Sequence, residues 1–154
     1  MVYRPVEVNR APSRHRFQCC IPPDPGEVRH TLVDLQQALS DLVSPSWLAT
    51  IELVGAEVLN NIVEHSFTDC ANANAFIEID ADLRDEFLTL KVVDNGVAMP
   101  GGSVPRPPFP KVNGVPVEDL PEGGFGWALI HELSSEVHYK RSDDRNVLTL
   151  LLKL

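Results

Sequence analysis

The order of the helices and strands that its sequence predicts makes this chain an α+β protein. A short strand precedes two long segments with helical periodicity, a pair of strands follows, and a second strand pair closes the chain after a short third helix. Because only a few polar residues separate the last two strands, they are predicted to pair antiparallel, which is typical of an α+β fold or an α/β sandwich. The length of 154 residues and an apolar content of 44% suit one domain around one core.

Each element is predicted from the spacing of apolar residues and from the turn residues between segments. The helices are expected over residues 27–43, 46–67 and 127–133, the strands over 16–21, 75–79, 87–93, 137–141 and 146–152, and the turns at 81–86 and 142–145. Ser44 and Pro45 form an N-cap and a first helical residue for the second helix. In the first helix, Leu32, Leu35 and Leu39 are assigned to the core, with a dimer interface as the alternative.

Composition excludes several classes of function. The net charge of −9 argues against non-specific nucleic-acid binding, which needs a basic surface. No run approaches 18 apolar residues, and the first residues have no apolar core of a signal peptide, so neither a membrane span nor export is expected. Cys19, Cys20 and Cys70 include no CxxC pair, which favours free thiols in a reducing cytoplasm.

Three polar residues of the second helix lie at intervals of four. Glu57, Asn61 and His65 therefore share one helix face, one turn above the other. A solvated helix face is one interpretation of this pattern. A functional surface that interrupts the apolar stripe is the other.

A second candidate group follows the buried strand 87–93. Asp94 and Gly96 flank Asn95, and this tripeptide is also an ordinary hairpin turn. No strand returns directly, however, because Pro100 and a segment rich in glycine and proline follow. A carboxylate at the end of a buried strand can accept a hydrogen bond from an amino group such as that of adenine.

A third candidate group precedes the third helix. Residues 94–126 hold seven of the nine glycines, and the last of them form the sequence Gly124-Phe125-Gly126. Glycines here let a ligand approach the backbone, and the free N–H groups at a helix start favour a phosphate. The preceding segment is a proline-rich loop and not a strand, so this is no dinucleotide fingerprint, and the chain contains no GxxxxGK[ST] phosphate loop.

Together, in this order, the three groups resemble the boxes of the GHKL ATPase superfamily, named for gyrase, Hsp90, histidine kinases and MutL. Glu57-x-x-x-Asn61-x-x-x-His65 is similar to its N box, and Asp94-x-Gly96 and Gly124-x-Gly126-x-x-Leu129 to its two glycine boxes. The branch of anti-sigma factor serine/threonine kinases is the most similar one. The resemblance covers residues 16–154, nearly the whole chain.

The resemblance implies a Bergerat-type fold, a two-layer α/β sandwich in which helices cover one face of a mixed sheet. Residues 16–154 would form a single ATPase domain after a flexible N-terminal arm of residues 1–15. A lid over the ATP site would occupy about residues 97–122. In many relatives a second glycine stands where this chain has Ala98, which is tolerated only at a negative φ.

The resemblance also implies a role for each site residue. Asn61 would coordinate Mg²⁺, and Glu57 would orient or deprotonate the attacking hydroxyl. Asp94 would bind the adenine amino group, and Gly96 would let the base pack closely. The remaining residues expected at the ATP are His65, near the helix end or the lid, and the phosphate cradle of Gly124, Phe125 and Gly126.

Three functions remain open from the sequence. The leading hypothesis is a cytoplasmic kinase that phosphorylates a small antagonist protein, with ATP and Mg²⁺ as cofactors. Its partners would be this antagonist and a sigma factor, with a homodimer as a further expectation and no direct contact to nucleic acid or membrane. The alternative is a non-catalytic nucleotide-binding regulator that sequesters a protein partner. A histidine kinase domain acting in trans is disfavoured, since the chain has no room for a phosphoacceptor helix domain.

Overall fold

Three α-helices and five β-strands form the part of the chain that the computed structural model describes, residues 14–67, 73–108 and 125–154. The strands are β1 (Arg14–Ile21), β2 (Ile77–Arg84), β3 (Phe87–Asp94), β4 (Glu136–Ser142) and β5 (Arg145–Lys153). The helices are α1 (Pro25–Leu39), α2 (Pro45–Ser66) and α3 (Phe125–Leu133), with a 3-10 turn at Pro100–Gly102. None of the helices in these ranges is long and apolar enough to span a membrane.

The five strands form one sheet in the order β1-β2-β3-β5-β4, and every neighbouring pair is antiparallel. The α+β class is confirmed, but the expectation of a mixed sheet was wrong. The reason lies in the connections. Two helices separate β1 from β2, so the chain returns antiparallel to its first direction. The single crossover through α3 does make β4 parallel to β3, but β5 lies between these two strands.

Helices cover one face of the sheet, as the two-layer architecture requires. On β2 the residues that face the helices, such as Ile77 and Ile79, are buried with side chains of all three helices. Residues of the opposite face are polar. Arg14 of β1 forms an ion pair of 2.7 Å with Asp82 of β2, and Arg16 forms a second ion pair with Asp80. The period of two along each strand therefore separates the core from the solvent.

The first two helices pack antiparallel and supply much of the core. A side chain at Gly55 of α2 would overlap Leu32 of α1. One turn after Leu32, Gln36 donates a hydrogen bond to Glu52, which lies about one turn before Gly55. The assignment of Leu32, Leu35 and Leu39 to the core is confirmed. The first helix ends four residues before its predicted end, since Leu42 in the following turn is 38% exposed and does not continue the buried stripe.

The predicted turn at residues 81–86 was too long, because β2 continues to Arg84 and the turn consists of Asp85 and Glu86. Ala81 and Leu83 extend the buried alternation, and both pair with β1 and β3. The hairpin closes over two residues, of which Asp85 has a φ of 51°. At the other boundary, the strand β1 includes residues 14–15, which were expected in the N-terminal arm, while residues 1–13 lie outside the described ranges.

Candidate functional site

A cavity of about 480 Å³ opens between α2, the paired ends of β3 and β5, and the segment that follows β3. We call the described part of this segment, residues 97–108, the strap. The cavity is lined from α2 by Val58, Asn61, Ile62, His65 and Ser66, from the sheet by Asp94, Tyr139, Asn146 and Leu148, from α3 by Trp127, and from the strap by Val97, Ala98, Met99, Pro100 and Pro105. Its volume is typical of a small-molecule site.

Of the predicted site residues Glu57, Asn61 and His65 on α2, the last two reach this cavity. Asn61 and His65 line it, because they follow one another by one turn on the same helix face. Asn61 Nδ2 is buried and, within the described ranges, has no hydrogen-bond partner. A buried amide without a partner costs free energy, so this side chain is poised to bind a polar ligand group.

The start of α3 lies directly against Glu57. A Cβ atom at Gly126 would overlap Glu57 Oε2 and would lie 3.4 Å from Asn61 Nδ2. A glycine at this position therefore lets the backbone of α3 approach the carboxylate and the amide of α2. Phe125 is the first residue of α3, and Gly124 lies outside the described ranges. Of the predicted phosphate cradle, Gly126 therefore lies against Glu57 and Asn61 of the predicted N box.

Asp94 ends β3 with its side chain in the cavity wall and only 3% exposed. Its Oδ1 accepts hydrogen bonds from the backbone N–H of Gly96 at 2.9 Å and from Asn146 Nδ2 at 2.8 Å. Burial raises the pKa of the Asp94 carboxyl, and these two hydrogen bonds oppose the rise. Among the described residues both bonds end on Oδ1, which leaves Oδ2 as an acceptor for a ligand.

Gly96 is needed for the packing of the loop against the end of α2. A Cβ atom there would overlap the carbonyl oxygen of Ser66 and lie 2.6 Å from its Cβ. The next residue, Val97, donates its backbone N–H to this carbonyl at 2.9 Å. The absence of a side chain at Gly96 therefore serves the protein itself, whereas its predicted contact with a base stays a prediction.

Asn146, which was not among the predicted site residues, holds Asp94 in place. It faces Asp94 in the β3–β5 register and is 4% exposed. Its Nδ2 donates to Asp94 Oδ1 and to the carbonyl of Val97, and its Oδ1 accepts from the Tyr139 hydroxyl at 2.7 Å and from Arg141 Nη1 at 2.8 Å. Four hydrogen bonds saturate this amide, so it positions Asp94 and the strap without capacity for a ligand.

A signal for Asn146 does exist in the sequence. It has the same parity along β5 as Leu148, Leu150 and Leu152, which all face the core. An asparagine in this row is a polar residue at a buried position, and such residues require partners. The identity of the partner could not be read locally, because Asp94 lies 52 residues earlier.

Hydrogen bonds from β4 also fix Gly96 and the beginning of the strap. Tyr139 Oη accepts the backbone N–H of Met99 at 3.0 Å, and Arg141 Nη1 donates to the carbonyl of Gly96 at 3.0 Å. Ala98 is not among the described residues with positive φ, so the alanine in place of a second glycine is accommodated as expected.

The residues around the cavity fit a nucleotide with a divalent cation. Asp94 Oδ2 offers an acceptor in the cavity wall, and the start of α3 lies beside Asn61, which also lines the cavity. An amide oxygen is a ligand that Mg²⁺ accepts, and this cation retains waters and phosphate oxygens for its other positions. In the described ranges no three His, Cys, Asp or Glu residues are grouped for a metal ion. Phosphate oxygens and waters would therefore complete the coordination of Mg²⁺.

Comparison with known proteins agrees with this geometry. A model of the family described as the histidine kinase-like ATPase domain matches residues 21–152. The chain belongs to this family. The resemblance to the GHKL superfamily that the three boxes predicted is thereby confirmed.

Relatives of this histidine kinase-like ATPase domain include named serine kinases. The serine/threonine-protein kinase BtrW of Bordetella bronchiseptica is 32% identical over 113 residues, which are 73% of this chain and 75% of BtrW. The serine-protein kinase RsbW of Bacillus cereus is 30% identical over 93 residues, 60% of this chain and 56% of RsbW. Among solved structures, the RsbU and RsbW domains of Rv1364c from Mycobacterium tuberculosis match with a TM-score of 0.60. That match has 18% identity and covers 90% of this chain and 32% of the other, so it supports the fold alone.

Proposed function

We propose that this protein binds ATP with Mg²⁺ in the cavity and transfers the γ-phosphoryl group to a serine or threonine hydroxyl of a small protein partner. The observation that carries the proposal is the contact of Glu57 with the start of α3, one helical turn from Asn61. A carboxylate at the phosphate end of a nucleotide site is in place to accept the proton of an attacking hydroxyl. The names of the serine kinases BtrW and RsbW support the same reaction.

Each side chain has a defined task in this proposal. Asp94 Oδ2 accepts a hydrogen bond from the adenine amino group, while Asn146 holds the carboxylate in its orientation. Asn61 offers its amide to the cation at the phosphates, and His65 lines the wall beside it. With ATP, Mg²⁺ supplies charge neutralisation at the phosphate oxygens. At the start of α3, the backbone of Phe125 and Gly126 lies closest to the phosphates.

The proposed reaction balances around Glu57. The oxygen of the partner's hydroxyl forms a bond to the γ-phosphorus of ATP, and the bond from this phosphorus to the β,γ-bridging oxygen breaks. The hydroxyl proton passes to the Glu57 carboxylate, and ADP leaves with the electron pair of the broken bond. Positioning and electrostatic stabilisation supply most of the catalysis in such transfers, so the burial of Asp94 and the close approach of α3 matter as much as the base.

A non-catalytic nucleotide-binding regulator is the second candidate. One observation favours it: Asn61, His65 and Asp94 line the cavity, whereas Glu57 does not. Such a protein would bind ATP and sequester a partner without transferring phosphate. The two candidates differ only in what Glu57 does, and this makes them separable by experiment.

The biological setting that we propose is a partner-switching system in the cytoplasm. The phosphorylated partner would be an antagonist protein of the anti-sigma factor type, and a sigma factor would be a second partner, with the protein acting as a homodimer. Nucleotide state and phosphorylation would then shift a binding equilibrium between partners. We further propose that residues 16–154 form one ATPase domain. Its lid would consist of about residues 97–122, and the strap is the first part of this lid.

The experiment that tests the proposal uses the purified protein with a purified candidate antagonist encoded beside its gene. Phosphorylation of the antagonist is followed by intact-mass spectrometry in the presence of Mg²⁺-ATP, and ATP binding is followed by calorimetry. A gain of one phosphate on the antagonist that is lost in Glu57→Gln, while ATP binding persists, supports the kinase. ATP binding without phosphorylation supports the regulator, and a wild type that does not bind ATP overturns both candidates.

A further inference from the structure

The strap is fixed very differently on the two sides of a glycine pair. Its proximal part, residues 97–99, makes three hydrogen bonds to the body of the protein, at Val97 N–H, the Val97 carbonyl and Met99 N–H. Gly101 and Gly102 follow with φ values of 71° and 67°. Within the described ranges, the distal part, residues 103–108, makes one such bond, from His131 Nε2 to the carbonyl of Pro105 at 2.8 Å.

The glycine pair is a suitable hinge between these parts. Both residues occupy the left-handed region, where only glycine is free of strain. A Cβ atom at either glycine would find no atom within 4 Å, so no side chain packs there, and within the turn the Gly102 N–H donates to the carbonyl of Met99 at 2.9 Å. The distal part is therefore held by the hydrogen bond to His131 and by the partly buried side chain of Val104.

His131 connects the distal part to a residue of the cavity wall. It lies on α3 one turn after Trp127, and the centroids of the two rings are 6.4 Å apart. Trp127 and Pro105 both line the cavity. Because a prolyl residue has no N–H and its carbonyl only accepts, the bond requires a proton on His131 Nε2. The His131 imidazole thus connects the distal part of the strap to α3, the helix whose start approaches Glu57.

We propose that His131 is a positioning residue that holds the distal part of the strap over the cavity and thereby slows the release of nucleotide. This inference rests on the proposed function, since it takes the ligand of the cavity to be a nucleotide. A single hydrogen bond suits a clasp that must open in each cycle, because its net contribution is modest. Opening at Gly101 and Gly102 would leave Asp94 and the proximal part undisturbed.

The test compares His131→Leu with His131→Gln. Leucine removes the donor but keeps an apolar side chain against Trp127, whereas glutamine places an amide N–H at a similar distance from the backbone. His138→Leu is the matched control, because within the described ranges this exposed histidine of β4 bonds only Glu136. Dissociation of a ribose-labelled fluorescent ATP analogue with Mg²⁺ is measured by stopped-flow chase with unlabelled ATP. Amide hydrogen exchange over residues 100–108 is measured in the ligand-free proteins.

In His131→Leu we expect dissociation to be roughly three- to tenfold faster and exchange over residues 100–108 to be faster, the rate following from one lost hydrogen bond. Glutamine should restore both values, and His138→Leu should match the wild type. If His131→Leu releases the analogue at the wild-type rate, the clasp is refuted while nucleotide binding stands. Equal losses in leucine and glutamine would show that packing, and not the bond, holds the strap. A wild type that does not bind the analogue refutes the proposed function, and unchanged exchange in His131→Leu then refutes the clasp as well.

Discussion

Asn146 Nδ2 donates a hydrogen bond of 2.8 Å to Asp94 Oδ1 across the β3–β5 pair, and both side chains are almost completely buried. The second donor to the same oxygen is the N–H of Gly96. Oδ1 is therefore committed to the protein, and Oδ2 is the atom that can accept from a ligand. Because the two oxygens of this carboxylate have different roles, its charge and its hydrogen bonding can be tested separately.

Asp94→Asn should abolish ATP binding without unfolding the protein. The asparagine Oδ1 can still accept from Asn146 and Gly96, but its Nδ2 would present a donor to the adenine amino group, which is also a donor. The wild type at about 100 times its dissociation constant should gain roughly 2.7 kcal/mol of stability. Thermal unfolding with and without Mg²⁺-ATP measures this gain. If Mg²⁺-ATP stabilised Asp94→Asn as much as the wild type, Asp94 would not take part in ATP binding.

The same substitution should change the pH dependence of stability. Burial raises the pKa of Asp94 above its ordinary value of 3.8, so the folded protein binds this proton more tightly than the unfolded chain. The free energy of unfolding of the wild type therefore falls as the pH rises from 3.8 through the folded pKa. Asp94→Asn lacks this loss, and its stability relative to the wild type should increase over that window.

Urea unfolding of both proteins at a series of pH values measures the difference. A matched control is Asp24→Asn, which changes an exposed capping carboxylate of α1. If the difference between Asp94→Asn and the wild type stays constant from acid to neutral pH, the carboxylate is not held in a medium that disfavours its charge.

Asn146→Leu should destabilise the protein and weaken ATP binding together. The substitution leaves Asp94 Oδ1 with one donor and removes the partners of the Val97 carbonyl and the Tyr139 hydroxyl. Buried groups without partners cost about 1–3 kcal/mol each, so a loss of about 2–4 kcal/mol in the free energy of unfolding is expected.

Chemical unfolding and calorimetry with ATP check this expectation. Thr149→Val on the same strand is the control, because Thr149 pairs with Lys91 and His138 on the opposite face of the sheet. A loss in Asn146→Leu no greater than in Thr149→Val would contradict the positioning role of Asn146.

The two glycines of the site should respond differently to alanine. At Gly96 the new methyl group would overlap the backbone carbonyl of Ser66, which cannot move without α2, so we expect a loss of about 1–3 kcal/mol in stability. At Gly126 it would overlap the end of the Glu57 side chain, which can rotate away. Gly126→Ala should therefore fold nearly as stably as the wild type.

Displacement of Glu57 should then appear as lost phosphoryl transfer. Unfolding curves for both variants, together with phosphorylation of the candidate antagonist, distinguish the two effects. Gly126→Ala with normal transfer would mean that the observed contact with Glu57 is irrelevant to the reaction. If Gly96→Ala were as stable as the wild type, the loop after β3 would be able to move away from the end of α2 without a cost in stability.

The sequence predicted the helices, most strands and the α+β class, because helical spacing and strand alternation are local signals. It also selected Asn61, His65 and Asp94, which the fold brings to one cavity. It missed the continuation of β2 to Arg84, since charged residues at 82–86 resemble a turn although Ala81 and Leu83 keep the alternation. Strand direction and the partner of Asp94 depend on pairing between distant segments, which no local pattern encodes.

The insertion of β5 between β3 and β4 has a consequence for how the protein is made. During synthesis β3 emerges with its partner on one side only, and its second edge remains open until β5 leaves the ribosome. Asp94 likewise waits for Asn146, which arrives with that same strand. A nascent chain that stops before β5 therefore has an apolar strand with one open edge and an incomplete pocket, and it is prone to aggregate until the last strand closes the sheet.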